Sequence, residues 1–344
     1  MKVLSDPSID NNNNNVDKTN SEDKMKIVWT NVILFSILHL VAFFGIFAIV
    51  KGRPAPATII FDLIVGILSQ IGVTAGAHRL WSHRSYKATL PLRLLLVILD
   101  TFVYETSIIN WSRDHRVHHK YSDTNADPHN VNRGFFFSHI GWVMVKKHPE
   151  VKEKQKGIDL SDLYQDPLLK FQHKHYMPLM TIACFVIPVI VPMYFWMETF
   201  TNAISLNILR YLIIVHNTLT INSFAHRFGN KPYDRSIRPS DSTGISLVTF
   251  GEGFHNYHHT FPWDYRSSEF GAFSFNLTRS FIEFFAKIGW AYELKFASED
   301  MIKKRVSRTG DGSHEIWGWG DKDQPQADYS SAVILNKMKK SLVL

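Results

Sequence analysis

Residues 28–77 read VWTNVILFSILHLVAFFGIFAIV, KGRPAP and ATIIFDLIVGILSQIGVTAGA: two long apolar runs and a short polar connector. A helix rises 1.5 Å per residue, so roughly 20 mostly apolar residues cross a hydrocarbon core of about 30 Å. The runs at 28–50 and 57–77 meet that length, and a connector this short makes them an antiparallel hairpin. The pattern returns at 178–198 and 203–223, joined through TFTN at 199–202. A fifth apolar run, 90–103, is interrupted by Arg93 and Asp100. It reads as a helix buried against the others or lying at the interface. The expected fold is an all-α integral membrane protein with four transmembrane helices in two hairpins and a helical cytosolic cap.

Span arithmetic organises the remainder. Residues 79–177 and 224–298 each follow an even number of spans, so they share a side with the N-terminus. Both are rich in Lys and Arg, which predicts that side to be cytosolic. The 28–298 region is thus the membrane domain. Residues 1–27, with NNNNN at 11–15 and no basic-then-apolar leader pattern, read as a disordered tail. Residues 299–344 turn charged and Gly-rich and read as a loosely packed cytosolic tail.

The formal charge of +7 does not gather into one basic stripe, so no nucleic-acid partner is expected. The single cysteine, Cys184, excludes both an intrachain disulfide and a Cys-based zinc or iron–sulfur site. Seventeen histidines are the conspicuous load. His115, His118 and His119 have i, i+3, i+4 spacing, which places them on one helical face, and His255, His258 and His259 repeat it. Asn222 and His226 are four apart at the end of the fourth span. His78 and His83, five apart, converge only if the second span ends or bends between them. The topology puts all four groups on one side of the membrane.

Nine buried imidazoles without a metal would be nine costly polar groups in one place. Neutral imidazole is the commonest metal ligand, and nine nitrogens exceed one ion's shell but suit two ions with four or five ligands each. Fe, Zn, Cu and Ni all accept such a shell; no HExxH motif is present for zinc hydrolysis, and oxygen activation favours iron. His39, His139, His148, His173, His175, His216 and His314 lack this pattern and are expected to be ordinary satisfied residues. A transporter using histidines as an ion relay would need ionisable residues along the spans, and the clusters lie outside them.

The segments HRLWSH (78–83), RDHRVHHKYSDTNADPHN (113–130), NSFAH (222–226) and GEGFHNYHHTFPWDYR (251–266) closely resemble the histidine boxes of animal acyl-CoA desaturases of the stearoyl-CoA type. The similarity runs from about Val28 to Lys295 and includes RGFFFSHIGW, KKHPEV and GNKPYD. The resemblance implies an endoplasmic-reticulum enzyme that inserts a cis double bond into a fatty acyl-CoA. It would use O2, two iron ions and electrons from cytochrome b5 with its reductase. It implies iron ligands at His78, His83, His115, His118, His119, His226, His255, His258 and His259, with Asn222 reaching one iron through water. It also implies CoA contacts at Asn31, Arg113, Asp114, Lys146 and Lys147. Asp114, Asp127, Glu252 and Asp264 are candidates to orient the ligands from outside. A hydroxylase or acetylenase on the same centre is the alternative chemistry.

The chain departs from the family pattern near the acyl chain. It carries Glu105-Thr106 where Gln-Asn is common, Leu219 where Trp is common, and Phe254 in place of another Trp. Loss of an indole at 219 removes bulk and an N–H donor. Glu105, Thr106 and Leu219 are therefore expected to set where the chain sits, and with it the double-bond position.

Overall fold

A computed structural model describes residues 25–270, 276–314, 326–333 and 335. The N-terminal tail expectation, and much of the C-terminal one, lies outside those residues. Four helices are long and apolar enough to cross a membrane: Trp29–Val50, Pro56–Ser82, Tyr176–Trp196 and Phe200–Ser223. The protein is thus a multi-pass membrane protein. The first and third spans have 28 % of their apolar windows buried and the second and fourth 56 %, so the latter pair forms the inner layer. Phe43, Phe44, Ile37 and Leu40 on the first span instead face outward, where lipid replaces a protein partner.

Lipid tails give helices no hydrophobic reason to associate, so small and polar residues join them. Gly45 lets the first span meet the fourth: a Cβ there would lie 2.7 Å from the Ser205 carbonyl oxygen. Inside the bundle, the Arg210 guanidinium donates to Asn207 Oδ1, the Cys184 carbonyl and the Phe102 carbonyl. At the end remote from the histidines, the Glu198 carboxylate accepts from Ala55 N, Thr58 Oγ1, Asn202 Nδ2 and Thr199 N at 2.6–2.9 Å. One carboxylate therefore ties both hairpin connectors together.

The fifth apolar run forms the helix Leu90–Thr101, packed on the end of the second span. Its two interruptions are explained by pairing. Arg93 reaches Asp166 at 2.8 Å, and buried Asp100 accepts from Gln172 at 3.3 Å. The cap adds Ile108–Tyr121, a run of short helices over 135–174, His255–Thr260 and Leu277–Lys287. A two-stranded pairing, Lys87–Ala88 with Ala291–Tyr292, clasps its two halves. Arg116 fixes the cap to the second span's exit, donating to Asp162, Ser82 O and Trp81 O.

Two expectations change. The second span does not stop at residue 77; it continues to Ser82 as a π-helix over Gly72–Ser82. The C-terminal segment is not loosely packed at its start. Ser298 caps the helix Glu299–Thr309 by accepting from Met301 N, and buried Ile302 and Val306, four apart, join the cluster of Tyr233, Tyr257 and Phe261.

The approach of Leu90–Thr101 to the π-helix depends on Gly72, where a Cβ would fall 2.3 Å from Asp100 N and 2.5 Å from Leu99 C. Backbone cannot yield as a flexible side chain does, so overpacking of about 1–3 kcal/mol or more follows. Gly72→Val should lower the detergent-solubilised melting temperature, whereas Gly244→Ala, with nothing within 4 Å of the added carbon, should leave it unchanged. Equal melting of the two variants would show that this contact is not limiting.

Candidate metal centre

The π-helix solves the five-residue spacing. Its i→i+5 bonding stacks residues that an α-helix would splay apart, and His83 N donates to His78 O at 3.1 Å. The two rings lie 4.9 Å apart. Ser107 caps the Ile108–Tyr121 helix, which carries the second triplet, and His255–Thr260 is a single short helix carrying the third. His226 lies just beyond the fourth span.

These elements deliver nine histidines to one buried region in two groups. His78, His83, His115, His119 and His258 form one; His118, His226, His255 and His259 form the other. Within each group the ligand atoms all lie within 4.8 Å of one another. Each i, i+3, i+4 triplet is therefore shared. His115 and His119 serve one group and His118 the other, while His255 and His259 serve the second and His258 the first.

Tautomers follow from the surrounding carboxylates. His78 Nδ1 lies 3.1 Å from Glu252, His118 Nδ1 2.9 Å from Asp127, and His226 Nδ1 3.2 Å from Asp123. A carboxylate accepts only, so each of these Nδ1 atoms carries the proton and each Nε2 turns a lone pair inward. There the nitrogens crowd. His258 Nε2 meets His78 Nε2 at 2.9 Å and His119 Nε2 at 3.0 Å. His255 Nε2 meets His226 Nε2 at 3.0 Å and His259 Nε2 at 3.1 Å. One imidazole N–H cannot satisfy two lone pairs at once, and His258 Nδ1 is buried with no partner among the described residues. A cation in each group resolves the conflict, so the residues fit a pair of metal ions.

Electrostatics agrees. Burial, reinforced by neighbouring imidazoles, holds His83, His115, His119, His255, His258 and His259 well below the usual histidine range. They are neutral, the form that ligates. Burial opposes charge on His118 too, but Asp127 outweighs it and raises that histidine. Burial would raise Glu252, yet Arg79 and His78 hold it below the carboxylate range. Arg79 is itself 1 % exposed and donates to Glu252 at 2.8 Å.

A cavity of about 540 Å³ leads to the histidines. Asn31, Arg113, Asp114 and Lys147 line it, together with Glu105, Thr106, Leu219, Asn222, His115 and His129. Asp114 pairs with Arg113 at 3.0 Å and with Lys147. Lys146 is exposed and does not line the cavity. Glu105 Oε2 accepts from Trp111 Nε1 at 3.2 Å, while burial pushes this carboxyl up to about 7. Thr106 adopts φ 100, and its N–H donates to Tyr176 Oη at 2.9 Å. Trp111 stacks on His115 with centroids 4.9 Å apart.

Of the four carboxylates expected to orient ligands, Asp127 and Glu252 do so. Asp264 instead accepts from Tyr257 Oη and Arg266, and Asp114 serves the cavity. Asp123 was missing from that set. It follows the end of its helix at φ 61, where no periodicity reveals its direction. His129 lies beside the second group: its ring centroid is 4.3 Å from that of His118, and it shares Asp127. His39, His216 and His139 prove satisfied by one another, at 3.0 Å per contact, with His139 continuing to Ser223 Oγ at 2.9 Å.

Known proteins share this arrangement of sequence. The fatty acid desaturase family matches residues 54–276. The chain is 54 % identical over 312 residues to the "Acyl-CoA Delta-9 desaturase" of Acheta domesticus, covering 90 % of this chain and 87 % of that one. It is 50 % identical over 303 residues to the "Acyl-CoA Delta(11) desaturase" of Spodoptera littoralis, covering 88 % and 89 %. It is 51 % identical over 291 residues to "Stearoyl-CoA desaturase 5" of Bos taurus, covering 84 % and 86 %. With nine histidines in two metal-sized groups beside a cavity, and half the residues shared over most of its length, the chain belongs to the fatty acid desaturase family of membrane oxidoreductases.

Proposed function

We propose that the protein is an acyl-CoA desaturase that inserts a cis double bond at a pair of iron ions. It would act in the endoplasmic-reticulum membrane with both termini cytosolic, taking electrons from cytochrome b5 and its reductase. The observation that carries this reading is one cavity lined together by the cationic Arg113 and Lys147, by apolar and aromatic side chains, and by His115 of the first histidine group. That combination of surfaces suits a phosphorylated headgroup, an alkyl chain and an oxidising centre. The reaction balances when O2, two electrons and two protons take two hydrogens from adjacent methylenes, giving the alkene and two waters.

Bound iron would supply the oxidising power that side chains lack. His78, His83, His115, His119 and His258 would hold one ion; His118, His226, His255 and His259 would hold the other, with Asn222 lining the approach. Glu252, Asp127 and Asp123 keep the Nδ1 protons in place and so keep Nε2 free. Arg113 and Lys147, positioned by Asp114, would fix the headgroup and so the depth reached by the chain, with Asn31 beside them. Lys146 would act from outside, as a solvated charge. Phosphate contacts anchor one end and the cavity walls orient the rest, which turns position along a uniform chain into selectivity.

Glu105, Thr106 and Leu219 would choose the bond. Leu219 is 3 % exposed and belongs to the fourth span's buried face, directly after Thr218 on the cavity wall. The named relatives include Delta-9, Delta(11) and Delta12 desaturases, so bond position varies within this scaffold.

Four variants test this reading. Purified His118→Ala should lose at least one of about two irons per chain together with turnover. Asp127→Asn should retain the fold but bind iron about 10–100-fold more weakly; metal analysis showing both variants fully loaded would remove His118 from the centre. Lys147→Ala should raise KM for the acyl-CoA by about tenfold or more, the worth of a charge-assisted contact of roughly 1.5–3 kcal/mol, with kcat little changed. Leu219→Trp should shift the double bond in cells lacking their own desaturase; an unchanged product profile by mass spectrometry would exclude Leu219 as a selector.

A further inference from the structure

A second cavity, of about 420 Å³, lies between the second and fourth spans and shares no lining residue with the first. Its walls are mostly aliphatic, among them Leu63, Ile67, Leu206 and Ile213, with Asp62, Arg210 and Asn217 as polar exceptions. Asp62 is 6 % exposed, and neither of its carboxyl oxygens has a hydrogen-bond partner among the described residues. The nearby cation does not provide one: Arg210 directs its guanidinium to Asn207, Cys184 O and Phe102 O. Water, which would satisfy such a group in a soluble protein, is absent from a hydrocarbon core. An acid in that setting implies a donor carried by whatever fills the groove.

We propose that this groove binds a long-chain membrane lipid with a hydroxyl group, which donates to Asp62. Asp62 lies six residues into the second span, about 9 Å from its start at 1.5 Å per residue. That end is remote from the histidines. The lipid's polar end therefore enters from the membrane face opposite the metal centre. Its chain runs past Gly66 and Ile213 toward Asn217, Val248 and Phe250. The last two belong to the segment that leads into the His255 helix, so the occupant touches the cap without entering the catalytic cavity. A lipid whose polar group accepts but cannot donate leaves at least one Asp62 oxygen without a partner and is discriminated against.

The test uses the full-length protein in nanodiscs and a hexadecanol carrying a photoactivatable diazirine, compared with its methyl ether. Peptides from Ile59–Ile67 and Leu206–Asn217 should be labelled by the alcohol at least tenfold more than by the ether, and unlabelled hexadecanol should compete. Asp62→Asn, which keeps an acceptor oxygen, should retain that preference, and Asp62→Leu should abolish it. Unchanged turnover of a saturated acyl-CoA reports that each variant is folded. Equal labelling of wild type by alcohol and ether overturns the proposal without reference to any variant, and so does a preference that survives Asp62→Leu.

Discussion

Lone pairs aimed at one another are the constraint on which this structure depends. The Nε2 atoms of the two groups lie as close as 2.8–3.3 Å, a separation that neutral imidazoles tolerate only when a proton or a cation sits between them. Protonating the cluster would place several positive charges in a buried volume, which burial and mutual repulsion both oppose. The remaining solution is metal, and the fold is arranged to reach it from four separate segments of chain. Asp127, Asp123 and Glu252 stand behind three of the rings and fix their tautomers. Arg79, almost fully buried, stands behind Glu252. Each layer requires the next, so the cap cannot be loosened at one ring without releasing a charge elsewhere.

Membrane and cap are joined through the same residues. The second span enters the bilayer as an α-helix from Pro56 and leaves it as a π-helix, and that widening carries His78, Arg79 and His83 into the centre. Gly72, at the start of the π segment, admits the Leu90–Thr101 helix to backbone contact. That helix leads through Val103 and Tyr104 to Glu105 and Thr106, part of the wall of the cavity beside the histidines. Placement of the metal groups and shape of the cavity are thus consequences of one local distortion.

Much of this is legible in the sequence because the governing signals are strong and local. Twenty-residue apolar runs separated by KGRPAP and TFTN leave little freedom in topology. The i, i+3, i+4 histidine triplets reveal a shared face. What they do not reveal is partition: helical spacing says that His115, His118 and His119 point together, not that His118 joins a different group from its neighbours. The second span's extension is hidden for a related reason. GVTAGAHRLWS has no feature that distinguishes a π-helix from the end of an α-helix, and only the need to bring His78 and His83 together points to one. Asp123 escaped because its direction is set by a left-handed turn rather than by a period. The helix Glu299–Thr309 was obscured by its composition, in which Ile302 and Val306 are the buried pair in an otherwise charged stretch.

Glu105 connects the two themes of buried charge and chain position. Its carboxyl lines the cavity, one oxygen on Trp111 and the other without a partner among the described residues, although the Thr218 hydroxyl lies nearby. Burial makes the neutral acid accessible near pH 7, and a neutral acid is far less costly beside methylenes than a carboxylate. Trp111 in turn stacks on His115, so Glu105 is two contacts from a ring of the first histidine group. Cavity wall and histidine group are thus joined by one short chain of contacts, from Glu105 through Trp111 to His115.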